Sequence, residues 1–311
     1  MAGQRAGTSP DFDVRDVIDG VALLASTANV VMQLARPAVG YGVVESTVES
    51  GQVMRHPFRR IRKTIAYLSV AFMGTSEERQ ICRREVNRSH VGVRSTAGSP
   101  VSYSAFDPRL QMWVAACLYR GVIDIHTLLH GPVDDATAEA IYRASWQLGT
   151  TLQVPAEMWP ADRAAFERYW APALTEVRID PPVRDYLCRL MMLEDLPRPF
   201  STVFGPLNRF LTTGFLPPPF REHMQLPWTE SDQRYFGFFM QMIGSVNRLL
   251  PPPVSRFPFN ACLQDLRVRI MWNSRCSAVT LYGAAGEPAG FTEVATREVR
   301  RVSPSGSPCP R

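Results

Sequence analysis

Residues 107–129 read Asp-Pro-Arg-Leu-Gln-Met-Trp-Val-Ala-Ala-Cys-Leu-Tyr-Arg-Gly-Val-Ile-Asp-Ile-His-Thr-Leu-Leu, and this stretch decides the fold class. An aspartate followed by proline is a strong helix start. The carboxylate accepts from first-turn amides, and the N–H that proline lacks has no partner at that position anyway. Behind it Leu110, Trp113, Val114, Cys117, Leu118, Val122, Ile125 and Leu129 recur at helical spacing, the best amphipathic pattern in the chain. The pattern predicts a central core helix, which needs other helices to cover it.

The chain on either side supplies them. Pro57 marks the start of a helix over 58–73 with Ile61, Ile65, Leu68 and Phe72 as its inner stripe, and Gly74 ends it. Thr75 and Glu78 form a capping box for the next helix, which is heavily charged. Its one apolar stripe, Cys82, Val86 and His90 at i, i+4 and i+8, ends in a histidine. Residues 94–106 read as a loop. Farther upstream, 16–34 has helical spacing and is stopped by Arg36-Pro37, and 40–46 is a short helix or a turn. Downstream, Asp134 or Asp135 caps a helix through Leu148 that stops at Gly149. Short helical pieces follow at 162–170, 183–193 and 206–211, then a helix over 229–249 between two proline runs, and a last helix over 262–272. The expectation is all-α: a single large helical domain over 14–280, between a loose N-terminus (1–13) and a mobile tail (281–311).

Composition agrees with a folded chain, since 45% of the residues are apolar and 20% charged. The net charge is +5, and Lys63 is the only lysine. An arginine-rich surface suits carboxylates or phosphates, but GC-rich coding produces the same bias. The basic residues from Arg55 to Arg94 lack interleaved aromatics and any helix-turn-helix spacing, so no nucleic-acid partner is expected. Six cysteines lie far apart with no C-x-x-C pair, which argues against a zinc site or a disulfide framework and for a reducing compartment. With no apolar leader in the first residues and no run of ~18 apolar residues, a cytoplasmic location is expected. Peripheral membrane contact stays open.

Phosphate-binding glycine loops, H-E-x-x-H and G-x-S-x-G are all absent. His126 and His130 stand four apart on one helix, as a metal pair would, but no third ligand flanks them. His90 has two readings: a core histidine bonded to a backbone carbonyl, or a neutral imidazole ligating a haem iron with the opposite position free. Arg60, Lys63 and Thr64 share one helix face at i, i+3 and i+4. That face is a solvated basic surface, or a cation, an amine and a hydroxyl shaping an oxygen-binding pocket. The residues alone leave both pairs of readings open.

The order of motifs adds a resemblance. Gln33-Leu34-Ala35-x-Pro37, Arg60-x-x-x-Thr64, Gly74-Thr75, His90-x-x-Val93, Tyr103-x-Ala105-x-Asp107-Pro108, Trp113-Val114 and Leu216-Pro-Pro-Pro-Phe-Arg221 together resemble the MpaB/rubber-oxygenase family. Its best-known branch is the latex-clearing proteins. The resemblance implies a globin-reminiscent helical core around one haem b. It matches His90 to the proximal iron ligand, Arg60 and Thr64 to the distal arginine and threonine, and Lys63 to a lysine able to take the sixth position. Glu45 stands near a carboxylate base of the rubber branch, where many relatives have histidine. Ser95 and Ala115 depart from a glycine and a histidine common in the family, which leaves the substrate open. The implied function is a haem b-dependent oxygenase using dioxygen on an apolar, isoprenoid or lipid-like substrate. The rival is a non-catalytic haem sensor or carrier. The sequence gives no oligomeric state.

Overall fold

The computed structural model describes residues 18–46 and 57–282, with backbone only for 57–60 and 273–282. Among the described residues there is no strand, only a single bridge between Arg94 and Ser104, so the all-α expectation holds. The helices are α1 (Ser26–Leu34), α2 (Pro37–Val44), α3 (Pro57–Met73), α4 (Ser76–His90), α5 (Pro108–His130), α6 (Asp135–Ser145), α7 (Gln147–Thr150), α8 (Arg163–Thr175), α9 (Pro181–Met191), α10 (Arg198–Phe215), α11 (Pro218–Met224), α12 (Glu230–Asn247), α13 (Pro252–Ser255) and α14 (Phe259–Tyr282). The described residues divide into two compact units, one ending at Leu263 and one beginning at Gln264. The second is the continuation of α14, with an Arg269–Asp265 ion pair at 2.9 Å along its surface.

Helix α5 is the hub of the first unit. Asp107 accepts from the Arg109 N–H and Pro108 opens the helix. Nine of its side chains are buried, Trp113, Ala116 and Cys117 among them. By length and composition α5 would also pass for a membrane span, which the sequence reading overlooked. Its burial against α1, α6, α7 and α12 marks it as the core helix of this unit. Trp113 stacks on Trp170 at 5.3 Å and carries the Arg36 guanidinium 4.6 Å over its ring. Its indole N–H donates to the Gln33 carbonyl at 3.0 Å. Asn29 donates to the Cys117 carbonyl at 2.7 Å, so a buried amide locks α1 to the middle of α5.

A 3-10 turn (Gly20–Ala25) begins the described chain, and Asp19 caps it. Asn247, at the end of α12, donates to the Asp19 carboxylate and joins the two extremes of the unit. The turn's Val21, Ala22 and Leu24 pack on a cluster made by Ile125, Leu129, Leu211, Phe236 and Met240.

Several boundaries differ from expectation. The first helix is split into the 3-10 turn and α1, and Pro37 opens α2 where a stop followed by a short helix or turn was expected. The helix after Asp134 breaks at Trp146, and Gly149 lies inside α7. A Cβ at Gly149 would meet Val154 and Ala115 at 3.1 and 3.3 Å, so close approach explains that glycine. Pro206 begins no helix; it sits inside α10, and Pro172 sits inside α8. Tertiary burial of Leu211, Thr212 and Thr213 holds α10 together across the proline. The last helix, expected over 262–272, spans Phe259–Tyr282 as α14; the expected N-terminus, 1–13, and the rest of the expected tail, 283–311, lie outside the described residues.

Candidate functional site

Helices α3 and α4 form a hairpin joined by Gly74 and Thr75. The joint is well defined. Thr75 and Glu78 make the reciprocal capping box, and the Gly74 N–H donates to Val70 at 2.9 Å. Tyr67 donates to the Leu148 carbonyl at 2.6 Å, and the fully buried Ser69 donates to Phe259 at 3.0 Å. Burial pushes the Tyr67 phenol far up and the Cys82 thiol up to about 11. The hairpin's closed half is therefore a packed, proton-retaining core.

Its other half carries the residues singled out in the sequence. Arg60 lies in the first turn of α3, and its side chain is outside the described set. Lys63 and Thr64 are exposed, and so is Ile61 at 51%. Ile61 was expected in the inner stripe, which in fact begins at Ile65. Residues 61–64 are all exposed. His90 is the last residue of α4 and is half-buried, below a stripe whose Cys82 is buried and Val86 half-buried. At about 1.5 Å per residue, Arg60 and His90 each stand roughly 21 Å along their arms from the joint.

Glu45 caps the end of α2. Its Oε2 accepts from Ser99 at 2.6 Å and from Tyr103 at 2.8 Å. Both donors belong to the loop that leaves His90. That loop is closed by Val93 N–H to the His90 carbonyl, and by Ser95 and Ala105 amides bonding to Tyr103 and Val93, each at 2.9 Å. Gly42 of α2 faces the Tyr103 ring, where a Cβ would stand at an ordinary van der Waals distance of 3.4 Å. The structure thus brings Glu45 to the His90 loop as a doubly bonded carboxylate. Burial, then the Glu45 carboxylate, raises the Tyr103 phenol, which stays a donor.

Sequence reasoning missed a chain of amides behind His90. Asn87, one turn before it, accepts from Gln153 at 2.6 Å. The Gln153 side-chain oxygen accepts from Gln111 at 2.6 Å, and its backbone N–H donates back to Gln111 at 2.9 Å. The buried Gln111 also donates to the Ala105 carbonyl at 2.7 Å. One side-chain relay ties the end of α4 to the start of α5 and to the closing segment of the His90 loop. The signal was a glutamine on the inner face of an otherwise apolar helix.

Other candidates lie apart. His126 and His130 face each other with ring centroids 4.6 Å apart, and no group of three metal-ligating side chains occurs among the described residues. A cavity of about 880 Å³ lies along the second half of α5 and is lined by Arg120, Asp124, Glu167, Gln241 and Arg248 among others. Three of its charges are paired with one another, Arg120 to Glu167 at 2.8 Å and to Asp124 at 3.3 Å. It contains none of Glu45, Lys63, Thr64 or His90.

The family described as ER-bound oxygenase mpaB/B'/Rubber oxygenase, catalytic domain, matches residues 14–245. The chain is 51% identical over 247 residues to Uncharacterized protein Mb2261 of Mycobacterium bovis and to Uncharacterized protein Rv2237 of Mycobacterium tuberculosis. Each alignment covers 79% of this chain and 97% of the relative. No solved structure matches the chain.

Proposed function

Because the chain belongs to the MpaB/rubber-oxygenase catalytic-domain family, we propose that it is a haem b-dependent oxygenase, with His90 as the iron ligand and an apolar, isoprenoid or lipid-like substrate. The observation that carries this reading is the position of His90. It ends the one apolar stripe of a charged helix, half-buried, with its loop and its helix end each braced by hydrogen bonds. The residue types at this end of the α3–α4 hairpin are of the kinds the group needs. Haem needs one imidazole, an apolar surface for the macrocycle and cations for its carboxylates. Here they are His90, the half-exposed Ile61, and Lys63 with Arg60.

When bound, haem would supply activation of dioxygen. The chain's own residues do the rest. The amide relay through Asn87 fixes the backbone from which the imidazole projects. Arg60, Lys63 and Thr64 offer two cations and a hydroxyl on one helix face, to pair with carboxylates and to orient a polar atom of the substrate. Glu45, held by Ser99 and Tyr103 through a single oxygen, is the carboxylate to which a proton would pass.

One observation favours the second reading, a haem carrier or sensor without turnover: Glu45 is already engaged by two donors. Spectroscopy separates the possibilities. Protein supplied with haem should show a Soret band at one haem per chain, lost in His90→Ala and regained in His90→Gly with added imidazole. Oxygen uptake with an unsaturated apolar substrate should then fall in Thr64→Ala at unchanged haem content. Haem binding without uptake identifies a carrier. A folded wild type that takes up no haem overturns both readings.

A further inference from the structure

Helix α12 is apolar on both sides. Its inner face buries Phe236, Met240 and Gly244. Its outer face carries Tyr235, Phe238, Met242 and Val246, with Leu249 in the turn beyond, spaced 3, 4, 4 and 3 residues apart. All five are exposed, Tyr235 at 70%, Phe238 at 71% and Leu249 at 84%. A helix of an isolated soluble domain keeps such a stripe on one face only.

The neighbouring α10, which packs against α12, repeats the feature. Phe200, Val203, Phe204 and Leu207 are exposed, and the same face turns inward at Leu211, in the cluster that holds Phe236 and Met240. The two helices therefore meet in one buried cluster, with the α12 stripe on the side away from it and the α10 stripe in the half of that helix before Leu211. The five side chains of the α12 stripe leave roughly 600 Å² uncovered and the four on α10 roughly 400 Å², where the largest apolar patch of a typical monomer is ~300–600 Å² and a stable interface takes ~800 Å² per partner.

Three occupants compete: a segment of this chain, a lipid surface and a second copy. The segments outside the described residues have only scattered large apolar side chains (Phe12, Val14 and Val17 in 1–17, Val48, Val53 and Met54 in 47–56, and Phe291, Val294, Val299 and Val302 in 283–311), with no sustained stripe. An anionic bilayer would require a basic rim. The charges near the two stripes are mixed rather than basic: Glu194, Asp195, Glu230 and Asp232 stand among Arg189, Arg198, Arg209, Arg234 and Arg248, and Arg189 pairs with Glu194 at 3.6 Å and with Asp195 at 3.4 Å. A charge-free stripe at near-heptad spacing suits an identical helix packed against it.

We propose that the outer face of α12, extended by the first half of α10, is the symmetric interface of a homodimer. The surface is independent of the haem reading and survives its failure. The full chain, 34.9 kDa, should sediment at twice that mass at micromolar concentration. Phe238→Glu/Met242→Glu, which puts four carboxylates into one contact, should weaken association at least about a hundredfold with the helical circular dichroism unchanged. A photoreactive benzoyl-phenylalanine in place of Phe238 keeps the site apolar and should give a covalent dimer, whereas the same residue in place of Arg83 should not. A monomeric wild type overturns the proposal. So does a folded double variant that remains dimeric, or a Phe238 photoproduct that joins the probe to another segment of its own chain. A monomer that floats with anionic vesicles, or that adsorbs to an apolar polymer through this face, assigns the surface to those partners instead.

Discussion

Gln111→Leu isolates the amide relay. Leucine fills nearly the same volume and keeps the inner face of α5 apolar, so the change removes hydrogen bonds with little change in packing. Three are lost: to Ala105, to the Gln153 side chain and from the Gln153 amide, at 2.6–2.9 Å. Two half-buried backbone groups, the Ala105 carbonyl and the Gln153 N–H, lose their partner. Leaving such groups unpaired costs ~1–3 kcal/mol each when water is excluded, and the added apolar burial returns ~1 kcal/mol, for a net loss of about 2–3 kcal/mol. For a chain of this length that lowers Tm by roughly 3–5 °C. Urea unfolding followed by circular dichroism measures it. Asn87→Ala in the same background tests the coupling, because members of one relay are not additive and the double variant should lose clearly less than the sum. In haem-loaded protein, Gln111→Leu should also broaden the Soret band at unchanged haem content, since the end of α4 has lost its brace. A loss under ~0.5 kcal/mol, or strict additivity with Asn87→Ala, would refute the idea that the relay positions His90.

Other outcomes follow from single contacts. Gly244→Ala places a methyl 2.7 Å from the Leu129 carbonyl, a backbone atom that cannot swing away, and should destabilise by ~1–3 kcal/mol with α5 and α12 forced apart. Thr75→Ala removes half of the capping box and should cost about 1 kcal/mol, read by the same urea titration. Cys82 and Cys117 have thiols raised by burial, Cys82 up to about 11, and should resist a thiol reagent at pH 8 until the protein is unfolded. Tyr103 is raised above 10.0 by burial and by Glu45, so the native state keeps a proton that the unfolded chain releases. That contribution is complete below pH ~10 and is lost as pH climbs through the raised native value. Tyr103→Phe should accordingly be less stable than wild type at pH 8 and show a shallower decline above pH 10.

The parts of the fold that were legible in the sequence are those where local chemistry and tertiary packing agree. Asp107-Pro108 and the Thr75–Glu78 box specify helix starts without help from elsewhere, and both occur as read. Pro206 and Gly149 were misread because each is a breaker by local propensity and an insider by packing. Gly205, next to Pro206, lets α10 approach the Met192 carbonyl so closely that a Cβ would sit at 2.5 Å. Ile61 was misread for the opposite reason: helical periodicity locates a face but cannot say how far along the helix neighbours cover it. The relay through Gln153 was invisible because its three side chains come from positions 87, 111 and 153, and no local spacing links them.

The Asp19–Asn247 bond has a consequence for synthesis. The 3-10 turn behind Asp19 exposes Val21 and Leu24 as soon as it leaves the ribosome, yet its cover comes from α5, α10 and α12. At ~5–20 residues per second, about 10 to 50 s pass before Asn247 has been added. Throughout that interval the nascent chain carries an uncovered oily beginning, so holdase chaperones should meet it early, and a message truncated before α12 should yield an aggregation-prone product rather than a smaller domain.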